Sequence, residues 1–167
     1  MHFSHILLGL VTSASAIDVY FWNGGDCSGS ATVCTGINPN VCCAGTDNTI
    51  SFRGIPTNWH ITGRGYNNGG CNNLAYQLDN NGQSWICLEV VSRYIYTGAS
   101  YFFPSRRRAE SGNCTETVKP DTLVLADGVT KYDIVGLDDA KLEELLALAR
   151  SGVGPEGIPK EFQELRR

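Results

Sequence analysis

The side chains with most chemistry to offer are seven cysteines: Cys27, Cys34, Cys42, Cys43, Cys71, Cys87 and Cys114. A zinc site takes ligands paired at short spacing, completed by Cys or His. The chain has no C-x-x-C, and His60 is the one histidine beyond the first few residues. Metal–thiolate chemistry is therefore not expected, and the cysteines read as a disulfide framework formed in an oxidising compartment. Six of them precede residue 90 and leave the pairing open, except that the neighbours Cys42 and Cys43 are expected to bond outward rather than to each other. Cys114 is the odd one: free, dimer-forming, or the partner of one of the other six. Acid–base or nucleophilic catalysis needs a positioned base beside a nucleophile or substrate. His60, between Trp59 and Ile61, is the candidate imidazole, and no G-x-S-x-G elbow accompanies it. Glu89, Arg53, Arg93 and His60 supply the residue types of a small ribonuclease, but nothing in their spacing selects one. A net charge of −4 does not favour RNA. No catalytic residues and no nucleic-acid partner are expected.

A disulfide framework requires a route out of the cytosol, and the N-terminus reads as one. An apolar run at residues 6–11 ends in Ala14-Ser15-Ala16, the small-x-small pattern that signal peptidase reads, although Lys and Arg are absent before it. The run is too short for a bilayer, which needs about 20 apolar residues. Residues 1–16 are expected to be removed after Ala16, giving a secreted, extracellular product without a membrane anchor. It is expected to be monomeric, or dimeric through the odd cysteine. Arg106-Arg107-Arg108, following Pro104-Ser105, resembles a kexin-type processing site with cleavage after Arg108; the other reading is a solvated basic loop facing the acidic tail. Asn113-Cys114-Thr115 is a glycosylation sequon, and the central cysteine makes Asn113 a poor acceptor.

The elements that would position these groups fall into two regions. Residues 17–104 are rich in Gly, Asn, Thr, Ser and aromatics. β-type runs at 17–22, 49–53, 59–62, 85–91, 94–96 and 101–103 are separated by turn signals such as Asn23-Gly24-Gly25, Asn67-Asn68-Gly69-Gly70 and Asn80-Asn81-Gly82. This spacing predicts an all-β sandwich or barrel. Residues 105–167 form an acidic C-terminal region. Residues 122–125 and 130–135 flank Asp127-Gly128 as a hairpin, and 138–150 has acids in its first turn, Arg150 in its last and Gly152 just beyond. Leu142, Leu145, Leu146 and Ala149 share one stripe of that helix. The region holds too little apolar material to fold securely alone, so it is expected to dock on the β domain or stay loosely ordered.

A repeat links the two turn-rich segments. Trp22-Asn23-Gly24-Gly25-Asp26-Cys27-Ser28-Gly29 aligns with Tyr66-Asn67-Asn68-Gly69-Gly70-Cys71-Asn72-Asn73, as two similar supersecondary units burying one core would require. The pattern resembles the β/γ-crystallin Greek-key motif, with Cys27 and Cys71 in place of its second aromatic and Asn73 in place of its Gly. The segment 20–43 with Gly54-Ile55-Pro56 most resembles small, secreted, cysteine-rich fungal proteins of this kind. The resemblance implies a mainly β fold, two Greek-key motifs in a β-sandwich, with the C-terminal hairpin and helix as an appendage. It also implies a weak Ca²⁺ site in Asp47, Asn48 and Ser51, or in Asn80, Asn81 and Ser84. These loops offer mostly neutral oxygens where calcium takes six to eight hard ones, so turn-making is the favoured role and no cofactor is expected. The functional expectation is a secreted binding or toxic module, a fungal effector, virulence or antimicrobial-like protein with an extracellular or host target. The alternatives are a proteinase inhibitor presenting residues 44–48 or the loop around Gly69-Gly70, and a small hydrolase.

Overall fold

The computed structural model describes residues 16–89, 95–104 and 114–167. Eight strands build the repeated unit: β1 (Ile17–Trp22), β2 (Ala31–Ile37), β3 (Val41–Cys43), β4 (Thr49–Arg53), β5 (Thr62–Asn67), β6 (Asn73–Asp79), β7 (Trp85–Leu88) and β8 (Gly98–Phe102). After them come β9 (Glu116–Val118), β10 (Thr122–Val124), β11 (Lys131–Asp133), helix α1 (Asp139–Arg150) and a final turn of helix, α2 (Lys160–Gln163). The first sheet runs β11-β10-β2-β1-β4-β7 and the second β6-β5-β8-β3-β9. Each repeat thus gives its first, second and fourth strands to one sheet and its third to the other.

The sequence repeat is a structural one at the level of register. Trp22 pairs with Thr49 as Tyr66 pairs with Gly98, and Tyr20 with Ser51 as Arg64 with Ser100. The paired groups also behave alike. Trp22 Nε1 donates to Ser51 Oγ at 2.8 Å, and the Tyr66 and Ser100 hydroxyls share a 2.9 Å hydrogen bond. The disulfides follow the same symmetry. Cys27, in the turn after β1, is bonded to Cys87 on β7; Cys71, in the turn after β5, is bonded to Cys42 on β3. Each of these bridges ties a turn of one repeat to the third strand of the other. The third bridge, Cys34–Cys43, joins β2 to β3 within the first repeat. Cys42 and Cys43 therefore bond outward, and Cys114 is free.

Strand alternation sends Val19, Phe21, Ile50, Phe52, Ile86 and Leu88 of the first sheet against Ala99 and Tyr101 of the second. Full burial of such side chains contributes about 1.5–3 kcal/mol each. Tyr101 is fully buried, and its hydroxyl donates to the Ile37 carbonyl at 2.9 Å. The second sheet makes room with Gly65 on β5, where a Cβ would lie 2.5 Å from the Tyr96 ring.

The C-terminal region completes the first sheet. β10 adds to β2, with Leu123 opposite Thr32, which is itself opposite Phe21; Leu123 and its partner Tyr132 therefore share the core-facing side. The second sheet does not cover them. Helix α1 does, burying Leu145 and Ala149 against Leu123, Tyr132, Ile158 and Phe162. Asp138 caps the helix by accepting from the Lys141 N–H at 2.9 Å, and Gly152 follows its end at a φ of 78°. β9 pairs in parallel with β3, so the region after residue 113 supplies strands to both sheets.

Several elements differ from the sequence reading. Residues 59–61 form a loop and β5 begins at Thr62, because Asn80 captures this segment through Ile61 N–H and the Trp59 carbonyl. β7 stops at Leu88, with residues 90–94 outside the described part, and Tyr96 forms only a bridge to Asp47. Strands β2, β3, β6 and β9 were not foreseen. Cysteines, a glycine and polar residues hide the alternation of β2, β3 and β9, whereas β6 alternates Leu74, Tyr76 and Leu78 and is defined by its hairpin pairing with β5.

An apolar groove and an arginine–aromatic face

The second sheet and α1 lie on the same side of the first sheet. Between them runs a groove of about 490 Å³ with Thr32 among its lining residues. One wall is residues 44–46, after β3, together with Lys119, Pro120 and Asp121. The other is residues 134–137 with Asp139, Leu142, Leu146 and Arg150. The helix stripe is thus divided: Leu145 and Ala149 are buried, whereas Leu142 and Leu146 stay half-exposed along the groove. Gly45 brings its backbone onto Phe21, where a Cβ would lie 2.6 Å from the ring.

Polar groups at the groove are few and mostly held. Asp121 Oδ2 accepts from the Thr35 amide and hydroxyl, both at 2.9 Å, and Oδ1 accepts from Thr122 at 2.6 Å. Arg150 reaches across to Asp47 Oδ2 at 3.3 Å. Burial pushes the Asp47 carboxyl above its ordinary range, and the Arg150 charge opposes that shift without cancelling it. Lys119 is exposed at the rim. An apolar lining with a few fixed polar groups suits a ligand with an apolar body, and the volume falls within the usual range for small-molecule sites.

The opposite side of the first sheet carries the second feature. Tyr20 and Trp22 stack with ring centroids 5.3 Å apart and planes 9° from parallel. The Arg53 guanidinium lies 4.7 Å from the Trp22 ring, 5.2 Å from Tyr20 and 5.8 Å from Trp85. Its Nε donates to Ser51 Oγ at 3.2 Å, and no carboxylate among the described residues forms an ion pair with it. Trp85, on the edge strand, is 48% exposed. The register forces this grouping, because Trp85 is opposite Arg53 and Arg53 opposite Asp18.

Asp47 pairs with Arg150, and Asn48 Nδ2 donates to the Asn23 carbonyl. Ser51 is buried under Trp22 and Arg53. Asn80 is buried, accepting from Ile61 N–H and donating to the Trp59 and Gln83 carbonyls; Asn81 Nδ2 donates to the Asp79 carbonyl. Ser84 is exposed beside Arg53 and Trp85. These side chains are spent on turns and packing rather than gathered around one point. His60 is exposed in its loop, and Glu89 is exposed at the end of β7. Of the two loops offered for inhibition, 44–48 is tied to the C-terminal region through Asp47, whereas the loop of Asn68, Gly69, Gly70 and Cys71 is held by its disulfide. Ala16 is half-buried just before β1. The rest of the signal segment, Arg93, Arg106–Arg108 and Asn113 lie outside the described residues. The groove and the Arg53 stack were missed from sequence. Only the half-used leucine stripe of α1 signalled the former.

These features define a disulfide-stapled, two-sheet β domain extended by a C-terminal hairpin and helix. Residues 18–121 match the ARB_05566_N family, described as an N-terminal domain, and the chain belongs to that family. No curated protein and no solved structure matches the chain. Among the described residues, no helix is long and apolar enough to cross a membrane.

Proposed function

We propose that this protein is a secreted binding module of the fungal effector or antimicrobial kind, which holds an apolar ligand group in the groove between the second sheet and α1. The observation that carries the reading is the groove itself: half-exposed Leu142 and Leu146 face the 44–46 loop across about 490 Å³. Three disulfides hold the β domain, which supports a life in an oxidising compartment. They also limit the ordering cost of binding. The finer description of the fold belongs to the same proposal. Two four-strand units that exchange their third strands, with matching register and matching bridges, support a β/γ-crystallin-like pair of Greek keys.

A proteinase inhibitor is the second reading, supported by the disulfide-held loop containing Gly69 and Gly70. One comparison separates the two. Purified protein is assayed against a protease panel and, separately, for binding of a fluorescent medium-chain acyl probe. The groove reading expects saturable 1:1 probe binding, weakened at least tenfold by Leu146→Arg, with no protease inhibited. Stoichiometric inhibition lost on cutting or replacing the 68–71 loop, with no probe binding, would replace it by the inhibitor.

A further inference from the structure

Cys114 is the cysteine that the disulfide framework leaves over, and its position is not arbitrary. Its sulfur lies within 4.8 Å of both sulfurs of the Cys42–Cys71 bridge. The symmetry-related bridge, Cys27–Cys87, has no such third sulfur. The approach is set by the backbone. The Thr115 N–H donates to the Asn40 carbonyl at 2.9 Å, and β9 then pairs with β3, placing Glu116, Thr117 and Val118 opposite Val41, Cys42 and Cys43. Cys114 and Cys71 are half-buried, whereas Cys42 is 1% exposed.

We propose that Cys42, Cys71 and Cys114 form an internal thiol–disulfide exchange site. The Cys114 thiolate attacks one sulfur of the Cys42–Cys71 bond; a bond from Cys114 to that sulfur forms as the Cys42–Cys71 bond breaks. The displaced sulfur leaves as a thiolate and takes up the proton that Cys114 gave to solvent. One disulfide and one thiol are present before and after, so no oxidant or reductant is consumed. Burial holds back ionisation of Cys114, while the Ser100 hydroxyl on β8 and the Arg64 guanidinium on β5 favour its thiolate. Exchange is therefore slow at acidic pH and faster as the thiolate fraction grows.

The consequence is a change in what the bridge connects. In the Cys42–Cys71 form it joins β3 to the turn after β5. In either exchanged form it joins one of those elements to the start of β9, and so links the cysteine-rich repeat covalently to the C-terminal region that walls the groove. The released thiol is then the buried Cys42 or the half-buried Cys71.

The test is a map of free and bridged cysteines in the intact protein. The protein is incubated near neutral pH, quenched in acid, labelled with a maleimide in denaturant under acid, digested without reduction and sequenced by mass spectrometry. The proposal expects peptides linking Cys114 to Cys42 or Cys71 beside the Cys42–Cys71 pair, with about a tenth or more of the label on Cys42 or Cys71. Cys27–Cys87 and Cys34–Cys43 should stay fully paired. Cys114→Ser should abolish the label and retain the Cys42–Cys71 bridge. Cys42→Ala should yield a Cys71–Cys114 bridge. Label confined to Cys114 in the native protein, together with two free thiols in Cys42→Ala, would overturn the proposal; so would label spread equally over all seven cysteines.

Discussion

Removing the bridges one at a time should rank them by the chain each one closes. The Cys27–Cys87, Cys42–Cys71 and Cys34–Cys43 bonds span 60, 29 and 9 residues. The loop-closure relation makes these worth about 4.3, 3.6 and 2.6 kcal/mol at room temperature. For a chain of this length each kcal/mol moves Tm by about 2–4 °C. Cys27→Ala/Cys87→Ala should therefore lower Tm by about 9–17 °C, and Cys34→Ala/Cys43→Ala by about 5–10 °C. Packing also contributes: Cys34 and Cys43 are both fully buried in the main core, so their truncation adds a cavity penalty at two sites, whereas in the Cys27–Cys87 pair Cys27 is buried and Cys87 half-exposed. Thermal and urea unfolding of the three paired variants provides the measurement. A Cys34/Cys43 loss exceeding the Cys27/Cys87 loss by more than about 2 kcal/mol would refute the reasoning, because core packing would then outweigh the closing of 60 residues.

Three further outcomes follow from local geometry. Gly29 sits at a φ of 89°, and a Cβ there would strike Asn23 Oδ1, which accepts the Ser30 N–H at 3.0 Å; Gly29→Ala should cost about 2–3 kcal/mol, whereas Gly25→Ala, with open space around it, should be nearly silent in urea unfolding. Asp127 accepts from the Thr130 hydroxyl and from the Thr130 and Val129 amides, and these bonds hold its carboxyl below the usual carboxylate range. A depressed folded pKa gives stability that is present above the ordinary Asp range and lost as pH falls through the lowered value, so the Tm gap between wild type and Asp127→Asn should shrink on acidification below about pH 4. Arg53→Ala removes the guanidinium from three rings and should cost about 1–2 kcal/mol, with a red shift of tryptophan emission as Trp22 is uncovered; unchanged emission would contradict the stacked arrangement.

What the sequence made legible was what local chemistry decides. Asn68, Asn81, Gly69, Gly70 and Gly82 all adopt positive φ in the turns read from their types, and α1 lies one residue inside its expected span with Asp138 as its cap. The repeat of Trp22–Cys27 in Tyr66–Cys71 anticipated two related units, although not that each would lend its third strand and a bridge to the other. Val41–Cys43 was not legible, because it is three residues long and its partners β8 and β9 lie far away in sequence; Asn73–Asp79 does alternate Leu74, Tyr76 and Leu78 and pairs with the neighbouring β5, so its pattern was there to be read. Asn73, which breaks the repeat's glycine pattern, donates from Nδ2 to Asn67 Oδ1 and so closes its turn by a different bond. The acidic tail gave no sign of joining both sheets. That depended on β2 and β3 exposing free edges to it. The groove was illegible for the same reason, since it exists only between elements that tertiary pairing sets apart.

Occupancy of the groove beside α1 by an apolar ligand group is measured by titrating isotope-labelled protein with a medium-chain acyl ligand and following backbone and methyl resonances by NMR. Saturable shifts confined to Ala44–Thr46, Ile134–Leu137, Leu142 and Leu146 are expected, lost in Leu146→Arg and retained in Arg53→Ala. Shifts centred on Tyr20, Trp22 and Trp85, or none at all across a panel of chain lengths, would contradict it.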